Sequence, residues 1–260
     1  ELYLTVVYRP QPIKAVKFFE GFGKKNSSDA RQQQTDELEA LTDLTGAAMA
    51  ALDRYEPELL GCYEHKGNMF SEVVEFLAFL VDGEWRRFPL PRTEINEVLC
   101  TSRPFFGKGG LMSLKGPTST QYGGIVTMQE YPALACPGIL NDLLGMPFEF
   151  VLSQSFTFLS KPVAVGRMKR QQARMINAGD VATSQIEDID NAMDDLTSNR
   201  FVMGAHSLGL VIRANDQKAL NEHISVAGAA LSDAGMKWAR EEAGMAGAFW
   251  AQLPGNFDFR

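Results

Sequence analysis

The 260 residues suffice for one large domain or two small ones, with about 70–75% of the unfolded surface buried on folding. Hydrophobic residues make up 45% and charged residues 22%, which excludes disordered and fibrous classes and predicts a sizeable core. The 25 Lys and Arg against 32 Asp and Glu leave a net charge of -7, the wrong sign for a chain whose main task is gripping phosphate backbones.

In chain order, Leu2 to Tyr8 is rich in β-branched and aromatic residues and is closed by Arg9-Pro10, which predicts a well-buried strand that begins a sheet. After the polar stretch Lys24 to Asp29, a long helix is expected, with Leu38, Leu41, Thr45, Ala48, Leu52 and Tyr55 as one narrow buried stripe. Leu59 to Glu64 reads as a strand. Met69 to Val81 reads as an apolar helix with Phe70, Val73, Val74, Leu77, Leu80 and Val81 inward, and Trp85 to Arg92 as a loop. The Gly/Ser/Thr-rich stretch Gly107 to Gly124 leads into strand residues Ile125 to Met128, and Pro137 opens a short helix to Leu144.

Gly145-Met146-Pro147 is the candidate boundary between an α/β subdomain over 1–146 and a second over 147–260. The second starts with a strand, Phe148 to Leu159, and has no proline between Pro162 and Pro254, which favours long helices. Over a predicted helix 162–199, Met168, Met175, Ala182, Ile189 and Leu196 recur every seven residues, with Ile186 and Met193 on the interleaved row. That seam fits either an intrachain hairpin or an intermolecular coiled coil. Strand Phe201 to Arg213, helix Gln217 to Leu231, a strand near Met236 to Ala239 and a helix near Gly244 to Gln252 follow. The expected class is mixed α/β (α+β), sheets covered by long helices.

Cys62, Cys100 and Cys136 are scattered and odd in number, which fits buried thiols in a reducing compartment. No apolar run approaches the length of a membrane span, and Val73 to Val81 is broken by Glu75. A phosphate-binding loop needs G-x-x-x-x-G-K-[ST], so that backbone N–H groups wrap the phosphates. Gly21-Phe22-Gly23-Lys24-Lys25 fails because Phe18 and Lys25 hold the first-glycine and hydroxyl positions, and Gly107-Lys108-Gly109 fails at Ser102.

Ala205-His206-Ser207-Leu208-Gly209 matches a variant of the G-x-S-x-G nucleophile elbow, so a stand-alone serine hydrolase using Ser207 is the alternative function. Against it, Leu208 to Ile212 continues as strand, and the only later His is His223, with Asp216 between. Glu187, Asp188, Asp190, Asp194 and Asp195 lack the loop glycine of a calcium hand and read as a solvated helix face. Arg167, Lys169, Arg170 and Arg174 hold no interleaved aromatic, which argues against a single-stranded nucleic-acid track, and partner contact is the functional option there. His65, His206 and His223 have no ligand spacing, and Trp238, Phe249 and Trp250 are expected anchors of core or interface. No catalytic, cofactor or metal residue is nominated.

Several strings resemble the large ATPase of type IV secretion and conjugative DNA transfer, the CagE/TrbE/VirB family. They are Leu2 to Pro10, Phe148 to Phe156, Asp180 to Glu187, Phe201 to His206 and Phe249 to Asn256. The resemblance implies an N-terminal α/β region followed by a RecA-like motor that carries the Walker motifs, ATP and magnesium. It further implies oligomers at the cytoplasmic face of the bacterial inner membrane, peripheral to it. The N-terminal region would contact inner-membrane secretion subunits rather than nucleic acid. The chain, opening on Glu1 and ending after a Trp/Phe-rich stretch, looks like an excised fragment of such a protein. The expected partner or assembly surface is Met168, Met175, Ile186, Ile189, Met193 and Leu196, with Trp250 in the C-terminal aromatic stretch.

Overall fold

A computed structural model describes residues 2–7, 27–117, 119–177 and 183–256. The Gly21 to Lys25 segment and the end of the first predicted strand lie outside them. The elements are α1 (Ser27–Ala51), β1 (Cys62–His65), β2 (Asn68–Ser71), α2 (Glu72–Asp82), α3 (Ile95–Val98), β3 (Arg103–Phe106), β4 (Met112–Lys115), β5 (Thr120–Glu130), β6 (Phe150–Phe158), α4 (Lys161–Asn177), α5 (Thr183–Thr197), β7 (Gly204–Ala214), α6 (Gln217–Asp233), β8 (Lys237–Arg240) and α7 (Met245–Ala251). The mixed α/β class holds.

Residues 2–7 join no sheet, and Leu2 and Leu4 are exposed. High β-propensity needs a neighbouring strand to act on, and here the segment is held instead by Tyr3, whose ring stacks on Phe76 at 4.5 Å. Helix α1 forms where its Ala, Leu, Glu and Gln content predicts, yet the expected buried stripe is absent. Leu38, Leu41 and Tyr55 are exposed, and Thr45, Ala48 and Leu52 are only half-buried.

The predicted helix Met69 to Val81 begins too early. Lys66 and Gly67 both have positive φ (51° and 78°), making the two-residue turn that pairs β1 with β2. Ser71 then caps α2, its Oγ accepting from the Val74 N–H at 3.4 Å. Val74, Leu80 and Val81 are buried as expected, whereas Val73 is exposed. The Gly/Ser/Thr-rich stretch Gly107 to Gly124, for which the sequence predicts no strand of its own, holds β4 and the start of β5, with β3 just before it. These short strands owe their order to the ladder they join. Pro137 leads into turns and a 3₁₀ helix over Asn141–Gly145 rather than an α-helix.

The main sheet has the order β3-β4-β5-β7-β6, with β8 also on β5, and every pair is antiparallel. It takes strands from both sides of Gly145–Pro147, since β5 pairs with β7 and β8 across that point. The period of two along β7 divides the core. Leu210 and Ile212 meet Leu220, Ile224 and Leu231 of α6 on one face. Val211 on the other face shares a cluster with Ala78 and Val81 of α2 and Met245 and Phe249 of α7.

The single helix predicted over 162–199 is two antiparallel helices. Lys161 Nζ donates to the Thr197 carbonyl (3.0 Å) and to Asn199 Oδ1 (2.7 Å), and Gln172 Nε2 donates to Asp190 Oδ1 (2.8 Å). The sequence between them, Asn177-Ala178-Gly179-Asp180, carries Asn and Gly stop chemistry that the seven-residue count overrode. The three cysteines, expected to be buried, are all exposed, because they lie on the outer side of β1 or in connecting segments.

A half-buried cation joins the layers. Arg213 of β7 donates through Nη2 to the Leu80 carbonyl at 2.6 Å, at the C-terminal end of α2, where the helix leaves acceptors unpaired. Burial pushes its pKa down to about 10, against the opposing pull of Asp82 and Glu149. Gly83 ends α2 at φ 80°, and a Cβ there would sit 2.4 Å from Arg213 Nη1. Gly83→Ala is expected to cost roughly 2–3 kcal/mol in urea melts, from left-handed strain and displacement of the guanidinium. Gly46→Ala on exposed α1, where nothing lies within 4 Å, is expected to gain up to about 1 kcal/mol.

Candidate docking surfaces

Ser207 sits in the middle of β7, opposite Ser155 of β6, and the strand runs on to Ala214. There is no strand-to-helix elbow. The partners a triad would need are engaged elsewhere: Asp216 caps α6 by accepting from the Ala219 N–H at 2.8 Å, and His223 stacks on Phe148 with ring centroids 4.4 Å apart. His206 shares hydrogen bonds with Tyr131 Oη (2.7 Å) and Gln154 Oε1 (3.3 Å). Gly107 closes the β3–β4 turn, its N–H donating to the Leu111 carbonyl at 2.8 Å.

Of the acidic group on α5, Asp190 accepts from Gln172 and Asp195 pairs with Arg200 at 2.7 Å. Asp190 thus reaches across to α4, while Glu187, Asp188 and Asp194 are exposed, and the five carboxylates do not converge.

The seven-residue rows come together as the inner faces of the α4–α5 pair. Met168, Met175, Ile186, Ile189 and Met193 are half-buried, and Leu196 is buried. Met168 and Ile189 line a hollow of ≈ 440 Å³ with Met203, and Arg167, Arg170 and Arg174 form its polar wall. All three arginines are exposed, so the hollow pairs a soft apolar floor with a cationic rim. Trp250 stands apart from this surface. It is half-buried against the core of α7, with its ring 5.0 Å from that of the fully buried Phe249.

A second hollow, of ≈ 290 Å³, lies between α7 and the sheet. Its walls are Thr127, Ser153, Ser155, Ser207 and Gly209 from three strands, and Gly244, Gly247, Ala248, Ala251 and Gln252 from α7 and its ends, with Glu241 at the rim. Sequence reasoning did not find it. The available signal was Ser153, Ser155 and Thr157 at alternate positions of the strand, which marks one hydroxyl-bearing face.

A family model described as the CagE, TrbE, VirB family, component of type IV transporter system, matches residues 58–260. The chain belongs to this family. It is 40% identical over 263 residues to the type IV secretion system protein virB4 of Bartonella henselae, covering 100% of this chain and 33% of that protein. It is 34% identical over 260 residues to protein virB4 of Rhizobium radiobacter (99% and 32% covered). It is 32% identical over 267 residues to the type IV secretion system protein virB4 of Brucella suis (100% and 32% covered). The chain thus spans about a third of the length of the curated relatives it matches. Among the described residues, no helix is long and apolar enough to cross a membrane.

Burial holds the His206 imidazole below its ordinary pKa of 6.5, so the fold favours the neutral ring. A folded-state pKa below the unfolded one gives a contribution present above pH 6.5 and lost as the pH falls through the folded value. The His206 ring proton shifts are expected to titrate with a midpoint below 6.5, and His206→Gln is expected to flatten the fall of stability with acidification over that window.

Proposed function

We propose that the chain is the N-terminal docking and assembly domain of a type IV secretion ATPase that energises transfer of DNA or protein across the bacterial envelope. ATP hydrolysis, with its magnesium, then belongs to a motor outside these residues. Membership of the family and similarity to virB4 proteins support the system. The lack of a G-x-x-x-x-G-K-[ST] string in this sequence supports the division of labour. The domain works by binding, at the cytoplasmic side of the inner membrane.

The observation that carries this reading is the α4–α5 hairpin. Its helices pack on each other, and Lys161 ties its base. This leaves a methionine-floored hollow with Arg167, Arg170 and Arg174 facing solvent on a chain of net charge -7. A cationic rim on an acidic protein selects an acidic partner surface, and Met side chains adapt to an apolar one. The inner-membrane subunits of the system, or a neighbouring protomer, supply that surface.

Charge reversal of Arg167, Arg170 and Arg174 to Glu in the whole protein is expected to cut co-purification of the inner-membrane subunits by about tenfold or more while ATP hydrolysis persists. Light scattering on the same variant separates subunit docking from self-assembly. Unchanged retention together with an unchanged oligomer would sink the hairpin as a docking surface.

A further inference from the structure

We propose that the free edge of β6 and the hollow beneath α7 together seat an extended polypeptide segment of a partner protein. The segment adds to the sheet as a further strand and directs a lysine or arginine toward Glu241. The proposal rests on the docking reading above and gives it a partner chemistry, at a surface distinct from the α4–α5 hairpin.

The edges of the main sheet are built differently. β3 is four residues long and contains Arg103 and Pro104, and β8 is four residues long and contains Lys237 and Arg240. Short length, charge and proline are the features that block strand-to-strand association. β6 runs nine residues, Phe150 to Phe158, with no charged residue and no proline, and among the described residues it pairs with β7 alone. Its backbone offers an unblocked row of donors and acceptors to an incoming strand.

The side chains extend that offer in two directions. Phe156 and Phe158 are 49% and 72% exposed and supply apolar contact on one face. Ser153 and Ser155 line the hollow on the other, so alternate side chains of an added strand enter it.

The chemistry of the hollow selects what enters. Among the described residues that line it, Glu241 alone is charged, its Oε1 accepting from Thr127 Oγ1 at 2.6 Å. A lone carboxylate among hydroxyls and small residues favours a cation and repels phosphate or carboxylate. Gln252 is 6% exposed, and among the described residues both its amide atoms are buried without a hydrogen-bond partner. A buried amide missing both partners is relieved by a group that donates and accepts together, which a peptide unit does. A second copy of this chain fits less well, because it brings its own net charge of -7.

The test uses the whole protein with fluorescent peptides about ten residues long, alternating Thr and Val, with a central Lys in one and Glu in the other. The Lys peptide is expected to bind and to slow hydrogen exchange of the amides over 150–158. The Glu peptide is expected to bind at least about tenfold more weakly. Glu241→Gln is expected to erase that discrimination, and Gln252→Leu to weaken the Lys peptide without lowering the melting temperature. Unchanged exchange over 150–158 with either peptide overturns the proposal, as does equal affinity for both. Protection of β6 that rises with protein concentration in the absence of peptide also overturns it, in favour of a second copy. Retention of the inner-membrane subunits is scored in parallel. If retention holds while no peptide binds, the strand proposal fails alone; if the Lys peptide binds β6 while no subunit is retained, the docking reading fails alone.

Discussion

The contact between Arg213 and the C-terminal carbonyls of α2 fixes how the two layers of this protein meet. The half-buried guanidinium turns its Nη1 and Nη2 donors to the Phe79, Leu80 and Val81 carbonyls, where the helix dipole favours the charge, while its Nε has no partner among the described residues. The constraint spreads in both directions from there. Asp82, in the last turn of α2, accepts from Thr101 Oγ1 and the Ser102 N–H and also pairs with Arg86, so the segment entering β3 is pinned to the same helix end. Glu75, one face further back, accepts from Tyr63 Oη and the Phe88 N–H, which hangs the β1–β2 hairpin on α2. With α2 so placed, Ala78 and Val81 meet Met245 and Phe249, and the position of α7 over the sheet follows. The hollow under α7 is a consequence of where Arg213 holds α2.

Much of the second half was legible because its patterns are local and two-sided. β6, β7, α6, β8 and α7 lie within a few residues of their expected places, since Leu210 and Ile212 against Val211, or Leu220, Ile224 and Leu231 along a helix, report their periods directly. The errors share a cause. Leu2 to Val7, β3 and β4 depend on whether a partner strand is present, which propensity does not encode. The row Met168, Met175, Ile189, Leu196 keeps its seven-residue count across the break between α4 and α5, so periodicity alone describes one helix as well as two. The hollow was illegible for a different reason. Thr127, Ser153, Ser207, Glu241 and Gln252 each look like an isolated polar residue, and only the registers of β6, β7, β5 and β8 together with the seat of α7 on the sheet bring them together.

The connectivity of the hairpin joins these pieces into one physical path. α4 and α5 form the link between β6 and β7, with the Leu159 N–H donating to the Met203 carbonyl at its base. A partner gripping the hairpin therefore pulls on two adjacent strands of the sheet. One of them, β6, is held among the described residues on one side only, by β7. The other, β7, carries Arg213 and so leads straight to the end of α2. Packed elements transmit displacement because a close-packed core resists local compression. A strand added along β6 would widen the ladder through which such a load passes. Filling the hollow would brace α7 against the sheet. Occupancy of the edge and loading of the hairpin thus act on the same two strands, which makes them coupled by construction rather than by distance.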